Sequence, residues 1–338
     1  MSETQIWHGG DLDEAKRLFP NAPRPWIDLS TGINPIAYPV RPLLPSLFER
    51  LPSPAAHRDL ESAAAGAYRA ADAAMVVAAP GTQVLISLLP ALWPRARVAI
   101  LGPTYAEHAQ AWRKAGHLVA EHKTAEQVED ADILVVVNPN NPDGRTLSQD
   151  MLLAIAEHLR QRGGWLIVDE AFADFDAGET LVPRLPDNAI VLRSFGKTYG
   201  LAGIRLGFSI SANGVAERLR TMLGPWAVSG PAIEVGRQAL RDRDWLATAQ
   251  QERTADARRL DTLLRPVSDL APKGTTLYRL IESERVPDLF SHLGRNGIWV
   301  RRFEYNPRFL RFGLPGFEAD WLRLDQAITA YLHSEKAE

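Results

Sequence analysis

Short, unbroken runs of apolar residues recur through the middle of the chain. They lie at 74–78, 97–101, 133–137, 165–168, 190–192 and 206–210. Because successive side chains of a strand point to opposite faces, an unbroken run indicates a strand that is covered on both faces. Between several runs, as at 151–159, apolar residues recur at spacings of three and four, which predicts helices. This alternation predicts an α/β fold with a mostly parallel central sheet and helices on both faces.

The two ends of the chain have different patterns. Residues 20–54 are rich in proline and weakly periodic, which predicts an extended N-terminal arm. The pattern at 231–264 predicts one or two long helices. Candidate strands follow at 276–281, 298–302 and 309–312. We therefore expect a smaller α+β lobe after the large sheet. The predicted division is an N-terminal arm at 1–40, a large domain at 41–225 and a small C-terminal domain at 226–338.

Composition excludes several classes of protein. The 338 residues are 46% hydrophobic and 23% charged, with a net charge of -3, which gives no sign of a nucleic-acid partner. There is no cysteine, so disulfides, thiolate metal sites and cysteine nucleophiles are all excluded. The first ten residues lack the basic and apolar regions of a signal peptide, and no apolar run approaches the ~20 residues that span a bilayer. We expect a cytoplasmic protein with no membrane partner.

A segment punctuated by glycine carries the strongest chemical signal. Lys197 lies between Ser194 and Arg205, in a loop that connects two predicted buried strands. Partial desolvation there favours the neutral amine that a lysine nucleophile needs. The words Gly-Lys-Thr also suggest a nucleotide-binding P-loop, but that motif requires glycine at position 191, which is Val191.

This segment resembles the one that carries the cofactor in the fold-type I enzymes dependent on pyridoxal 5'-phosphate (PLP), the aspartate-aminotransferase superfamily. In that family Ser-x-x-Lys is followed by Gly-x-Arg. The resemblance implies that Lys197 binds PLP covalently and that Ser194 and Arg205 bind the PLP phosphate. Taken alone, the segment could also be a surface loop with an ordinary lysine.

Further motifs follow the family order. Gly81, Thr82 and Gln83 lie between a predicted strand and a predicted helix, and they resemble the turn that binds the PLP phosphate. Tyr105 follows the next strand, where the family places the ring that stacks on the pyridine of PLP. Taken singly, these features could be a capped turn and a packed tyrosine, so their order carries the interpretation.

Two polar residues complete the implied cofactor site. Asn141 lies in the segment Asn138–Gly144, and the resemblance implies that it bonds O3' of PLP. Asp169 ends a buried strand, 28 residues after Asn141 and 28 before Lys197, and it is implied to face the pyridine nitrogen. We thus predict Lys197, Asp169 and Tyr105 as catalytic residues. The pair Asp169–Glu170 could be mistaken for a metal site, but we predict no metal.

The cofactor motifs are compatible with several reactions of PLP. The reaction must therefore be inferred from residues elsewhere in the chain. His8-Gly9-Gly10, Thr31-Gly32 and Pro225-Trp226 resemble segments of the threonine-phosphate decarboxylases of cobalamin synthesis. That resemblance implies that Arg311 binds the substrate carboxylate and Arg301 the substrate phosphate. Arg302 could replace Arg301, because a register change of one residue reverses the inward side chain. The predicted substrate-binding residues are His8, Thr31, Gly32, Asn141, Arg301 and Arg311.

The resemblance implies a decarboxylase that acts on L-threonine O-3-phosphate and gives (R)-1-amino-2-propanol O-2-phosphate, a precursor of cobalamin. A histidinol-phosphate-type aminotransferase is the first alternative, and a non-catalytic binding protein of the PLP fold is the second. The family also implies a homodimer. However, Leu51 occupies the position where relatives often have a tyrosine that reaches the partner's PLP phosphate, so that contact is not expected.

Overall fold

The middle of the chain forms one compact unit, and its two ends form another. The computed structural model describes residues 9–124, 130–176 and 180–335. The middle unit comprises the described residues of 37–247, and the terminal unit comprises those of 1–36 and 248–338. The division expected from the sequence stays a prediction: an N-terminal arm at 1–40, a PLP-binding domain at 41–225 and a C-terminal domain at 226–338.

The secondary structure follows in chain order. The strands are β1 (Ile27–Asp28), β2 (Val76–Ala79), β3 (Arg97–Leu101), β4 (Leu118–His122), β5 (Ile133–Val137), β6 (Trp165–Asp169), β7 (Ala189–Ser194), β8 (Gly207–Ser211), β9 (Lys273–Thr275), β10 (Tyr278–Glu282), β11 (Ile298–Trp299), β12 (Arg301–Arg302) and β13 (Phe309–Gly313). The α-helices are α1 (Leu12–Leu18), α2 (Ser46–Glu49), α3 (Pro54–Tyr68), α4 (Thr82–Leu88), α5 (Ala106–Lys114), α6 (Gln149–Arg160), α7 (Phe195–Thr198), α8 (Asn213–Leu223), α9 (Gly230–Arg241), α10 (Arg243–Leu264), α11 (Val286–Arg295) and α12 (Glu318–Glu335).

A seven-stranded sheet organises the middle unit, in the order β2-β8-β7-β6-β5-β3-β4. The neighbours from β7 to β4 are parallel, whereas β8 is antiparallel to both β2 and β7. Leu134 and Val136 of β5 pack in one apolar cluster, and Ile133 and Val135 pack in a second. Alternate residues of one strand therefore enter two different cores, as a sheet covered on both faces requires. The predicted α/β fold class is confirmed.

The predicted strands of this sheet are found with shifts of one or two residues at some ends. The run at 74–78 begins too early, because Ala73–Met75 form a short 3-10 turn before β2. Strand β4 was not predicted. It lies at the edge of the sheet, and its side chains are mostly exposed or half-buried, so it lacks an unbroken apolar run. The other edge strand, β2, is fully buried, so it is the exposure of both faces of β4 that weakens its signal.

The terminal unit contains a four-stranded antiparallel sheet in the order β12-β13-β10-β9. A separate parallel pair joins β1 to β11. Side chains of α10, α11 and α12 share one apolar cluster with these strands. The unit has the α+β composition expected of the smaller lobe, and it also contains described residues of 1–36.

The number of helices between 231 and 264, left open by the sequence, is settled by Asp242. Helix α9 ends at Arg241, and Asp242 has non-helical backbone angles, φ -89° and ψ 79°. The Asp242 carboxylate accepts a hydrogen bond of 3.0 Å from Trp245 N. Aspartate in this position satisfies a free amide at a helix start, so the segment forms two helices, α9 and α10.

Within the described ranges, no helix has both the length and the apolar character needed to cross a membrane.

A buried hydroxyl in β8 gives a test of the packing. Ser209 is fully buried between the strands, and its Oγ has no hydrogen-bond partner. We expect Ser209→Ala to raise the free energy of unfolding by about 1 kcal/mol, because it removes an unsatisfied polar group. Urea denaturation would measure it. Ser148→Ala is the control, because Ser148 Oγ accepts a bond from Met151 N at 3.2 Å, and its loss should cost about 1 kcal/mol. A destabilised Ser209→Ala variant would contradict this account.

Candidate cofactor site and anion site

Each motif of the cofactor resemblance lies where a strand of the large sheet ends. Gly81 follows β2, Tyr105 follows β3, Asn141 follows β5, Asp169 ends β6 and Lys197 follows β7. Strand β2 has the direction of β7, because β8 is antiparallel to both. The carboxyl ends of these strands therefore share one edge of the sheet. Parallel sheets bind ligands at this edge.

The turn at Gly81 packs tightly against Arg205 and Gly207. A Cβ atom on Gly81 would lie 2.9 Å from Arg205 Nη2, and one on Gly207 would lie 2.6 Å from Thr82 N. Gly81 also has a φ of 88°, which disfavours other residues. The two glycines therefore allow the Thr82 amide and the Arg205 guanidinium to approach each other.

Ser194 joins the same group through strand pairing. It ends β7 directly opposite Gly207, the first residue of β8. A hydroxyl, a backbone amide and a guanidinium thus come together at the sheet edge, from Ser194, Thr82 and Arg205. These are the groups that bind phosphate oxygens, so the residues fit the phosphate of PLP.

Asp169 has a buried and strongly polarised environment. Its Oδ2 lies 2.9 Å from Nε2 of His108, and its Oδ1 accepts a bond of 3.0 Å from Ala171 N. Burial raises the pKa of Asp169, but the His108 hydrogen bond and the charges of His108 and Lys197 outweigh it. The pKa therefore lies below its ordinary value. Asp169 is thus held as a carboxylate, as a partner for a protonated pyridine must be.

Lys197 lies in the one-turn helix α7, next to an aromatic ring. Its Nζ is 4.8 Å from the centroid of the Phe172 ring, and the residue is half-buried. Its charge also contributes to the lowered pKa of Asp169. The structure therefore brings Lys197 and Asp169 into electrostatic contact, as the resemblance implies for a lysine and an aspartate that share a cofactor.

The loop that carries Asn141 is tied to two neighbouring strand ends. Asn138 N donates to Asp169 O at 2.8 Å, and Asn140 Nδ2 donates to Pro103 O at 3.1 Å. Asn141 itself is half-buried. The loop is thus held at the ends of β6 and β3, where a ligand of Asp169 could reach Asn141.

Tyr105 is oriented by a chain of side chains. Its hydroxyl donates to Gln83 Oε1 at 3.1 Å, and Gln83 Nε2 donates to Glu107 Oε2 at 3.0 Å. The Gln83 side chain therefore holds Tyr105. This places Gln83, one of the predicted cofactor residues, next to the ring that the resemblance assigns to stacking on PLP.

In the terminal unit, two arginines share one face of a sheet. Arg301 of β12 is directly opposite Arg311 of β13, and such residues point to the same face. Arg311 is 4% exposed, its Nη2 donates to Ser30 O at 2.9 Å, and its guanidinium lies over the Tyr278 ring. Burial and the charge of Arg301 lower the pKa of Arg311 to about 10. Two guanidinium groups on one face of a sheet are suited to bind an anion, which would offset their repulsion.

Arg302 faces the other way. Its guanidinium lies 3.9 Å from the centroid of the Phe290 ring, and it lines a cavity of about 490 Å³ together with Phe19. Burial lowers the pKa of Arg302. Of the two alternatives that the sequence left open, Arg301 is therefore the one on the face of Arg311.

The N-terminal residues of the predicted substrate site are partly described. Gly10 N donates to Ser30 Oγ at 2.7 Å, and a Cβ on Gly313 would lie 2.3 Å from Thr31 O. Thr31 thus lies beside the strand that carries Arg311, and Gly32, the next predicted residue, is buried. His8, also predicted to bind substrate, lies outside the described residues.

The groups that support Asp169 are not among the residues predicted from the sequence. His108 lies one helical turn after Tyr105, and this spacing could have suggested that both face the site. Its contact with Asp169 joins residues 61 positions apart, which no local pattern reveals. Arg193 pairs with Glu170 at 2.6 Å, so that this acid has a structural partner. Over 9–124, 130–176 and 180–335, no group of three or more His, Cys, Asp or Glu side chains could hold a metal ion.

Comparison with known proteins agrees with this geometry. Residues 44–324 match the model of the family aminotransferase class I and II. The chain belongs to this family. A threonine-phosphate decarboxylase of Pseudomonas aeruginosa is 42% identical over 96% of this chain and 97% of its own length. One from Sinorhizobium sp is 40% identical over 96% and 97%.

Other relatives are more distant. A histidinol-phosphate aminotransferase of Paracoccus denitrificans is 33% identical over 61% of this chain and 57% of its own length. The solved histidinol-phosphate aminotransferase of Sinorhizobium meliloti, in complex with PLP, has a TM-score of 0.81 at 19% identity and covers 98% of this chain and 96% of its own. The solved L-threonine-O-3-phosphate decarboxylase of Porphyromonas gingivalis has a TM-score of 0.71 at 20% identity, over 84% and 93%. At these identities the solved structures establish the fold alone.

Replacing His108 tests its support of Asp169. A lowered pKa means that the Asp169 carboxylate stabilises the fold above its unfolded pKa, near pH 4, and that this contribution is lost as pH falls through the folded value. We expect His108→Phe to cost the PLP-free protein about 3 kcal/mol at neutral pH and less in acid. Urea denaturation at both pH values measures this. His108→Gln keeps a donor and should recover part of the loss, whereas equal losses at both pH values would contradict the assignment.

Proposed function

We propose that this protein is a PLP-dependent decarboxylase. It converts L-threonine O-3-phosphate into (R)-1-amino-2-propanol O-2-phosphate and CO₂, for cobalamin biosynthesis. The observation that carries the proposal is the pair Arg301 and Arg311 on one face of the terminal-unit sheet. The names of relatives that are 40–42% identical over 96% of the chain support it.

Two guanidinium groups match the two anionic groups of this substrate. Threonine phosphate carries a carboxylate and a phosphate, and arginine binds each of these through paired hydrogen bonds. We assign the carboxylate to the buried Arg311 and the phosphate to the half-buried Arg301. Histidinol phosphate has a phosphate but no carboxylate, so it would satisfy one of these two charges.

The residues at the edge of the large sheet support PLP as the cofactor. We assign its phosphate to Gly81, Thr82, Ser194 and Arg205, which the strand pairing and the close packing of glycines bring together. Bound PLP supplies an electron sink for the pair that remains on Cα when CO₂ leaves.

The chain's own residues then have distinct tasks. With PLP bound, Asp169, kept ionised by His108, would hold a proton on the pyridine nitrogen, and Asn141 and Tyr105 would contact the ring. Arg311 orients the substrate so that the bond from Cα to its carboxylate is the one that breaks. Lys197 would hold the cofactor in the resting protein, and either the Lys197 ammonium or water would donate a proton to the substrate Cα after CO₂ has left.

Product analysis tests the reaction. The PLP-loaded protein is incubated with threonine phosphate or with histidinol phosphate and a keto acid, and CO₂ and amino-group transfer are followed separately. We expect CO₂ from threonine phosphate and no rapid transfer from histidinol phosphate. Lys197→Ala should bind PLP without turnover. Rapid amino transfer from histidinol phosphate would instead establish the aminotransferase alternative.

Three arginine variants test the substrate contacts. Arg301→Gln should lower kcat/KM for threonine phosphate about 100-fold and change that for unphosphorylated threonine little, because it removes one charged hydrogen-bond donor to the phosphate. Arg311→Gln should lower both. Arg302→Gln is the matched control, since this neighbour faces Phe290, and it should change neither by more than about twofold. Equal effects of Arg301→Gln on both substrates would refute the phosphate assignment.

We also infer that two copies of the chain associate. Leu44, Phe48 and Leu51 are each at least 67% exposed, and Trp226 is 53% exposed. Cavities of about 530 and 300 Å³, which share Pro52 in their walls, lie along this apolar surface. Exposed apolar groups in such number favour a protein interface. The cytoplasmic location expected from the sequence stays a prediction.

Light scattering after size exclusion would test the dimer. We expect a mass of two chains, and a shift towards one chain in Phe48→Asp, which places a charge in the apolar surface. Phe317→Asp is the control, because Phe317 is 71% exposed in the terminal unit and is not part of this surface. A wild-type monomer at micromolar concentration would contradict the inference.

A further inference from the structure

A buried ion cluster lies next to two residues of the cofactor site. Arg193 Nη1 is 2.6 Å from Glu170 Oε2, and Arg193 Nη2 contacts Asp174. Arg193 is 4% exposed and Glu170 is 1% exposed. Because none of these three side chains has a role in the proposed reaction, the cluster needs a separate explanation.

Glu170 is held on every side. Thr180 Oγ1 donates to Glu170 Oε2 at 2.6 Å, and Leu181 N donates to Glu170 Oε1 at 2.8 Å. Its backbone N also donates to Leu192 O of β7 at 2.9 Å. Both the backbone and the side chain of Glu170 therefore link the end of β6 to β7.

Arg193 is equally constrained. Its guanidinium carbon lies 4.6 Å from the centroid of the Tyr68 ring, a cation–π contact in a site without solvent. Burial alone would lower the pKa of Arg193, but the charges of Asp174 and Glu170 raise it above its ordinary value. The guanidinium thus keeps its charge and its planar fork, which bridges two carboxylates.

Stability alone does not account for such a cluster. Desolvation of buried ions offsets most of their attraction, and apolar replacements of similar volume are often as stable. Buried ion pairs do impose one geometry, because any other arrangement leaves a charge without compensation. In this cluster such a pair would add a side-chain constraint to the backbone pairing that already places Asp169 opposite Leu192.

The strand ends that this ion pair joins carry the reactive groups. Glu170 directly follows Asp169. Arg193 directly precedes Ser194, and Ser194 lies three residues before Lys197. Successive strand residues point to opposite faces, so Arg193 lies on the face of β7 opposite to Ser194. Asp169 is oriented by His108, but His108 is on α5 and does not join β6 to β7.

We propose that Arg193 and Glu170 are positioning residues, which through their buried ion pair fix Asp169 relative to Lys197 without touching PLP or substrate. The separation of these two groups determines how the aspartate charge acts on PLP bound through the lysine. A displacement of the order of 1 Å can cost about 100-fold in rate. The inference rests on the PLP site and is independent of the identity of the substrate.

Arg193→Lys is the main test. Lysine keeps the charge but replaces the planar fork by a single ammonium, which cannot bridge two carboxylates in the same geometry. In the PLP-loaded variant we expect kcat to fall about 10- to 100-fold, with KM changed by less than about twofold. We also expect the pH midpoint of the PLP absorption change, which reports protonation at the Lys197 nitrogen, to shift by about one unit.

A matched arginine separates positioning from general destabilisation. Arg279 forms a two-point ion pair with Asp261 in the terminal unit, at 2.6 and 2.9 Å. Arg279→Lys should lower the melting temperature and leave both the absorption midpoint and kcat unchanged. A folded Arg193→Lys variant with a normal midpoint and normal kcat would overturn the proposal.

A neutral variant covers the case in which Arg193→Lys does not fold. Arg193→Met combined with Glu170→Gln and Asp174→Asn leaves no uncompensated charge, so it should fold and bind PLP. We expect the pH midpoint of PLP absorption to be shifted in this triple variant as in Arg193→Lys, because both lack the ion pair. A wild-type midpoint and a wild-type kcat in the triple variant would refute the positioning role. The absorption titration needs no substrate. Failure of threonine phosphate as a substrate would therefore leave this test intact.

Discussion

The ionised state of Asp169 is the constraint on which the proposed chemistry depends. Burial disfavours the charged carboxylate, so hydrogen bonds and nearby positive charges must stabilise it by more than the loss of hydration costs. His108 donates to one carboxylate oxygen, the Ala171 amide donates to the other, and Lys197 adds a positive charge. The result is a pKa below the ordinary value for a carboxylate that is only 4% exposed. If the protein left Asp169 protonated, its carboxyl group would have no negative charge with which to stabilise a protonated pyridine.

The second constraint is the close packing at Gly81 and Gly207, which lets the Arg205 guanidinium and the Thr82 amide lie near each other. The Gly207 position admits no Cβ, since that atom would lie 2.6 Å from Thr82 N. Gly81 likewise leaves room for Arg205. Strand pairing then adds Ser194 opposite Gly207. The proposed phosphate site thus depends on the close approach of three strands, and no single segment contains all of its residues.

Local patterns predicted the fold, because strands covered on both faces are continuous apolar runs. The cofactor residues are expected from the family resemblance, and the structure places each of these motifs at the end of a strand. The pattern failed where contacts are not local. His108 meets Asp169 across 61 positions, and Arg193 meets Glu170 across 23. The choice between Arg301 and Arg302 depended on strand register, which one residue reverses. Sequence spacing alone contains none of these distances.

Two buried arginines show opposite responses to their surroundings. Asp174 and Glu170 raise the pKa of Arg193, so the protein compensates its charge internally. The pKa of Arg311 is lowered to about 10 by burial and by Arg301. A bound carboxylate would reverse that shift, and so substrate binding would relieve an electrostatic cost built into the site. Decarboxylation destroys this same carboxylate. In the proposed reaction the product therefore lacks the group that is assigned to Arg311, which would favour its release.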